Sequence, residues 1–441
     1  MPLATVLFRK RMSSPCLIPR DCFSARSSLA AIAVAIGLRL VLPARSMAED
    51  RVDYRFEDYN EDGNRMHIQT HSAYFEKELN SKITARGNFV YDSISGASPT
   101  GGAPAYGSDK VPLNGFPISD IRRAESLELA VRYGGIHMTT PQIAYSKEGD
   151  YESVGLALNH AIEFNQKNTT VTLGLARNFD RVSGLYQSKS AHKDTFDGIL
   201  GLTQLLGPKT YITANLSLGY ADGYLNDPYK GVNFFFPYPG TTPEDWPTEA
   251  NIDEKRPSHR FRQVLFFGVT HYITPLKASV DANYRFHHDS YDICAHTVTL
   301  QWNQKLGEKV TVSPMIRWYR QTAATFYQPR FIGEVDYPDG TTAAFKDGTF
   351  VDYEGGPAYP EDPTGYDFID IPPHASSYSA DYRLSEFDSY SVGIGLHWHL
   401  HEHVSLDLAY KRYEMHRISS ITPQDAYPKA HVLTAGLGIW F

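Results

Sequence analysis

Cysteine is nearly absent: 441 residues carry three, Cys16, Cys22 and Cys294. That excludes a fold stapled by several disulfides. Long hydrophobic runs are missing too. Hardly any stretch approaches the roughly 18 consecutive apolar residues of a spanning helix, which excludes a polytopic helical membrane protein. Basic excess is lacking: the formal net charge is -8, so nucleic acid is a poor partner. Enzyme signatures are lacking as well. No Gly-x-Ser-x-Gly elbow, phosphate-binding glycine loop, His-Glu-x-x-His or Cys-x-x-Cys occurs. What the chain does have is aromatic residues: 29 Tyr, 23 Phe and 5 Trp, 13% of the total. With 42% hydrophobic residues it is too rich for disorder. Two classes fit. One is a soluble multidomain β protein. The other is an outer-membrane barrel, whose alternating strands hide their hydrophobicity from averages such as the mean hydropathy of -0.37.

The first 48 residues read as an export signal. Arg9, Lys10, Arg11, Arg20 and Arg26 make a basic leader, and 29–38 is an apolar core too short to span as a helix. Arg39 interrupts the run, which argues against an N-terminal anchor. Ser46-Met47-Ala48 places small residues before Glu49 in the manner of a cleavage site. Cleavage there removes seven Lys/Arg and one Asp, leaving 35 basic and 49 acidic residues, a net charge of -14. It also removes Cys16 and Cys22. Only Cys294 remains, so the exported chain, 49–441, holds no internal disulfide in an oxidising compartment. A closed, hydrogen-bonded barrel supplies stability without one.

Period-2 alternation recurs through the mature chain. Leu276, Ala278, Val280, Ala282, Tyr284 and Phe286 oppose Lys277, Ser279, Asp281, Asn283 and Arg285. Similar runs cover 154–164, 210–220 and 404–411. Each approaches the roughly ten residues that a tilted strand needs to cross a bilayer. Tight turns are expected near Asn80, Gly134, Gln166, Gly207, Thr274, Gly307 and His401. Long Pro- and Gly-rich loops are expected over 96–120, 181–192, 223–258, 328–380 and 418–429, with shorter ones near Asp62, Gly149 and His288. Every long loop lies an even number of strands from the others, so all emerge on one side. About sixteen strands result, with both termini in the periplasm, as single-chain outer-membrane barrels require. The weakest parts of this reading are the first hairpin, 52–75, and the strand at 259–273. The last strand alternates Leu433, Ala435, Leu437, Ile439 and Phe441 with Val432, Thr434, Gly436, Gly438 and Trp440. Ending on Phe441, it resembles the signal read by the barrel-assembly machinery of Gram-negative bacteria.

The segment Asp92-Ser93-Ile94-Ser95-Gly96-Ala97-Ser98-Pro99-Thr100-Gly101 resembles the most recognisable motif of one family. Arg122-Arg123 opening a strand, Tyr145-Ser146 before Asp150-Tyr151, and Asn168-Thr169-Thr170 support it. The family is the domain-of-unknown-function 3570 group of predicted outer-membrane proteins, and the resemblance covers nearly all of the mature chain. It implies a barrel in the outer membrane and supplies no activity or functional residues.

The alternation predicts a lumen face carrying both signs: Arg86, Asp92, Glu128, Arg132, Glu163, Asp281, Arg285, Arg317, Asp407 and Lys411. In a water-filled pore these set ion selectivity; in a plugged barrel they pair with one another. His397, His399, His401 and His403 recur on one face of a strand. Same-face neighbours stand roughly 7 Å apart, so a polar lumen row is a better reading than a metal site. His67 and His71, with Gln69, form a similar, weaker lumen row. Tyr91, Tyr133, Trp302, Trp318, Tyr319 and Trp398 fit interfacial girdles. The 331–370 loop holds ten Asp/Glu and one Lys, without the spacing of a calcium loop. It reads as a solvated or lipopolysaccharide-facing loop, or as a constriction folded into the mouth. The expectation is an all-β transmembrane barrel that passes small solutes in contact with outer-membrane lipid, with no cofactor, catalytic residue or metal. A scaffold for a periplasmic or surface partner is the alternative, and an outer-membrane hydrolase a more distant one.

Overall fold

The computed structural model describes residues 50–101, 110–113, 118–183, 190–235, 248–332, 334–336, 342–346, 349–351, 367–369 and 376–441. The expected export signal at 1–48 lies outside the described residues, as does most of the acidic loop. Sixteen antiparallel strands close into one barrel, each paired with its sequence neighbours. They are β1 (Arg51–Glu61), β2 (Met66–Asn80), β3 (Ile83–Gly96), β4 (Ile118–Tyr133), β5 (His137–Lys147) and β6 (Tyr151–Phe164). Then come β7 (Thr169–Val182), β8 (Ala191–Gly207), β9 (Thr210–Gly223), β10 (His259–Ile273) and β11 (Ala278–Asp289). The set ends with β12 (Cys294–Leu306), β13 (Val310–Gln321), β14 (Phe387–His401), β15 (Val404–Arg417) and β16 (Lys429–Trp440). Both weakly patterned segments, 52–75 and 259–273, are barrel strands.

Closure is made by β1 on β16, from Arg51 against Trp440 to Glu61 against Ala430. The Phe441 N–H donates to the Asp50 carbonyl at 2.9 Å. With no edge strand, the ladder satisfies the backbone internally, which is what a bilayer demands. All seven tight turns lie at one end of the barrel, together with the start of β1 and the end of β16. The long connections leave and rejoin the strands at the other.

The outward face is apolar through the middle of the barrel. Leu175 is 72% exposed, Val392 58% and Leu433 53%. In water such a surface would be an aggregation hazard; against lipid it is the required solvent-facing surface. Tyr91, Tyr133, Trp302, Trp318 and Trp398 share this outward register. Tyr319 does not. It points inward and packs with Phe387 and Tyr413, so it belongs to the lumen. Histidines extend the girdle: the Tyr410 hydroxyl meets His431 Nδ1 at 2.7 Å and that of Tyr284 meets His296 Nδ1 at 2.8 Å.

His67, Gln69 and His71 also face outward, not into the lumen. His67 Nε2 lies 2.7 Å from Asp58, and His71 sits against Phe56 and Tyr54. His67 and Gln69 are level with the long-loop end of the barrel, where polar residues face outward as well as inward, and His71 stands in the aromatic girdle beside Tyr91. There the hydrophobic alternation no longer reports which face is inside.

Candidate functional site

The lumen wall is built from the polar half of each strand. Arg86 binds Glu76 and, at 3.1 Å, Glu128. Arg132 reaches Glu163 at 3.6 Å, and Lys167 shares that carboxylate at 3.4 Å. Arg122 holds Asp92 at 2.8 Å. Asp281 accepts from the Thr270 hydroxyl and the Asn303 amide. Asp407 meets His397 Nδ1 at 2.6 Å. Arg285, Arg317 and Lys411 also point inward, and none makes a hydrogen bond or ion pair with another described residue.

The histidine row splits. His397 Nε2 and His399 Nε2 approach to 3.2 Å, much closer than strand spacing suggests, because the side chains lean together. His401 and His403 sit at the turn, with ring centroids 6.1 Å apart. Two nitrogens at that separation suit one shared proton or two corners of a metal site, with Asp407 orienting the first ring. No third metal ligand joins them among the described residues. One cluster does offer three: carboxylate oxygens of Asp120, Glu148 and Asp150 lie within 4.8 Å of one another. Burial, then Asp150 and Asp120, pushes the Glu148 carboxyl up. Such a group could hold a hard divalent cation.

The long-loop mouth carries a second set of residues that strand patterning did not reveal. The segments 224–231, 253–258 and 376–385 turn inward and meet. Tyr291, Ile293, Ala324 and Leu384 form a buried cluster there, with Leu225 and Phe326 against it. Buried charge ties the segments together. Glu254 is fully buried and Asp381 is 1% exposed. Arg256 bridges them, 2.7 Å from Glu254 and 2.8 Å from Asp381. Arg383 grips Asp381 at 2.8 and 2.9 Å and also binds Asp227. Asp381 accepts from the Arg383 N–H at 3.0 Å as well, capping the short turn at 382–384. Burial disfavours the Asp381 anion, but Arg383, Arg256 and Lys230 outweigh it, so the carboxyl sits far below its usual range. Burial pushes Glu254 the other way, against the pull of Arg256. These residues are scattered over more than 150 positions, so no local spacing signals them.

The Ser98-Pro99-Thr100 part of the conspicuous sequence motif is the other half of this latch. Lys230 is 3% exposed and donates to the Ser98 hydroxyl at 2.8 Å and to the Pro99 carbonyl. The Gly231 N–H donates to the Thr100 carbonyl at 2.9 Å. A cavity of about 490 Å³ lies beside this segment, lined among others by Tyr151, Lys193, Asn226, Tyr229 and Arg262. Lys230→Met keeps the aliphatic stem and removes the donors. The expected cost to docking of 224–231 is about 1.5–3 kcal/mol, the range for a hydrogen bond to a charged group. Faster amide exchange at Gly231, with the barrel ladder unchanged, is the expected readout; unchanged protection at Gly231 would refute the latch.

The chain is similar in structure to the ferric enterobactin receptor of Pseudomonas aeruginosa, with 11% identity and a TM-score of 0.42. That match covers 89% of this chain and 60% of the receptor, so the chain spans less than two thirds of its length. The siderophore receptor PirA of the same organism gives 10% identity, coverage of 90% and 81%, and a TM-score of 0.36. CdiB from Acinetobacter baumannii gives 8%, coverage of 90% and 61%, and 0.47. No curated protein matches the sequence. A family model described as a protein of unknown function, DUF3570, matches residues 24–428, nearly the whole length, and the chain belongs to that family.

Proposed function

We propose that this protein is an outer-membrane conduit for small polar solutes, latched at its outer mouth by inward-folded loops. One observation carries the reading. Arg285, Arg317 and Lys411 project into the lumen with no hydrogen-bond or ion-pair partner among the described residues, although several other lumen charges are paired, among them Arg86 with Glu76 and Glu128 and Arg132 with Glu163. Leaving a charge unpaired in a dry, packed interior is costly, so these groups call for water around them. A sixteen-stranded barrel is wide enough to hold it. Transport by diffusion through a polar lumen needs no catalytic group, and we propose conduction rather than catalysis.

The remaining partners follow from the surface. The 1–48 leader would deliver the chain to the periplasm, and the last strand, ending on Phe441, would present it to the assembly machinery. The exposed apolar belt would then meet outer-membrane lipid and lipopolysaccharide. Purified protein in planar bilayers is expected to give stable single-channel steps, larger or more frequent in Lys230→Met. A folded barrel that conducts in neither form would overturn the reading and favour the scaffold alternative.

A further inference from the structure

Three of the lumen cations that lack a hydrogen-bond or ion-pair partner lie at related positions; Arg55 on β1 is a further one, one inward residue from Glu57 toward the short-turn end. Arg285, Arg317 and Lys411 each stand seven residues from the first residue of their strands, Ala278, Val310 and Val404. Those first residues all lie at the short-turn end. The register repeats the same step. Arg285 pairs with Thr297, which pairs with Tyr319, the inward residue just beyond Arg317. Arg317 pairs with Ser391, which pairs with Tyr413, the inward residue just beyond Lys411. In a barrel of tilted strands, a level path crosses neighbouring strands with a steady register shift. The three cations therefore share one height, on alternate strands β11, β13 and β15.

The opposite wall is different at that height. The inward residues seven from the short-turn ends of β4, β5, β6, β7 and β9 are Ser126, Ala144, Ala157, Ala176 and Ser217. They are small and uncharged. The nearest acid in the ring is Glu57 on β1, which accepts from the Thr434 hydroxyl at 3.2 Å. Three positive charges against one negative leave this ring basic, although the whole chain is acidic.

We propose that this ring makes the lumen anion-selective at mid-height, so that the solutes passed are small anions. The proposal rests on the conduit reading above. Three cations on one wall attract a permeating anion and repel a cation. The small opposite wall leaves the anion room to pass beneath them without a tight binding site, which conduction also requires. The aromatic group above, Tyr319, Tyr413 and Phe387, occupies the space toward the mouth and exposes the cations toward the lower lumen.

The test is the reversal potential of the purified barrel in planar bilayers across a roughly tenfold KCl gradient, kept dilute so that screening does not mask the ring. It is run on the wild type and on Asp381→Asn, whose mouth latch is released. Chloride is expected to permeate more readily than potassium by roughly threefold or more. Neutralising the ring with Arg285→Gln, Arg317→Gln and Lys411→Gln together is expected to remove that preference, and Arg317→Glu to reverse it. Cation selectivity in the wild type overturns the anion proposal and leaves the conduit standing. Anion selectivity that survives the triple variant does the same. A folded barrel that conducts nothing, with or without the latch, overturns both.

Discussion

Asp381→Asn is expected to release the mouth while leaving the barrel closed. Asp381 is 1% exposed and takes charge from Arg256 and Arg383 together. Asparagine keeps the shape and the acceptor for the Arg383 N–H, but it removes the anion. Arg256 is then left half-compensated in a site where its own side chain is only 11% exposed. Breaking a buried pair on one side costs about 3–5 kcal/mol, mostly because the surviving charge stays desolvated. The barrel ladder does not run through this site, so the cost falls on the docking of 376–385. Hydrogen exchange at Leu384 and Ser385, whose N–H groups donate to Asp381 and Tyr382, should quicken by roughly a hundredfold or more. Exchange in β13 and β14 should hold. Unchanged exchange at Leu384 would mean that the network decorates the mouth without closing it.

Acid should do the same as the substitution. Asp381 has a folded-state pKa depressed below its unfolded value, so its stabilising contribution is present above about pH 4 and is lost as pH falls further. Glu254 is raised, so its protonation in the folded state partly offsets the loss at first. Asp381 faces Arg256 and Arg383 at once, and losing its charge leaves both short of a counterion, so the latch weakens below about pH 4. In Asp381→Asn that component of the pH dependence should disappear.

The second large effect belongs to Gly96→Val. Gly96 has φ of +122°, a conformation that L residues rarely adopt. A Cβ placed there would lie 1.8 Å from the Arg65 carbonyl oxygen, which also accepts from the Ala97 N–H at 2.9 Å. The φ alone costs about 1–3 kcal/mol. The overlap is with backbone, so no side-chain rotation relieves it. Relief requires breaking the Ala97–Arg65 bond and moving the chain that leads to Ser98 and Thr100, the anchors of Lys230 and Gly231. The expected outcome is a markedly lower yield of folded, heat-modifiable barrel, and loss of the latch in whatever folds. Gly207→Ala is the matched comparison, since a Cβ there meets nothing within 4 Å. If the two variants fold equally well, the conformational explanation of Gly96 fails.

The motif around Gly96 shows how far sequence reaches and where it stops. Its glycine and its small polar residues are conspicuous in the sequence, yet their role depends on Lys230, more than 130 positions away. Lys230 has no sequence signature, because a buried lysine and a solvated one look alike in a polar loop. The five other mouth charges are invisible for the same reason. His67 and His71 mislead in another way. They lie at and beyond the aromatic girdle, where polar residues face outward as well as inward, and the pattern loses its sign. Tyr319 is ambiguous because an aromatic residue suits a lipid girdle and a buried lumen cluster equally.

The sequence by itself pointed to about sixteen strands, to the sorting of long loops to one side, and to a polar and an apolar face on the clearly alternating strands. Those follow from local physics: one face must satisfy lipid and the other water, with a period of two. Only the tertiary structure decided which lumen charges neutralise one another, that Arg285, Arg317 and Lys411 share a height, and that three distant loops lock over the mouth. Those depend on strand register and on desolvation shared among residues far apart in the chain. Both are set when the barrel closes, and no local pattern encodes either.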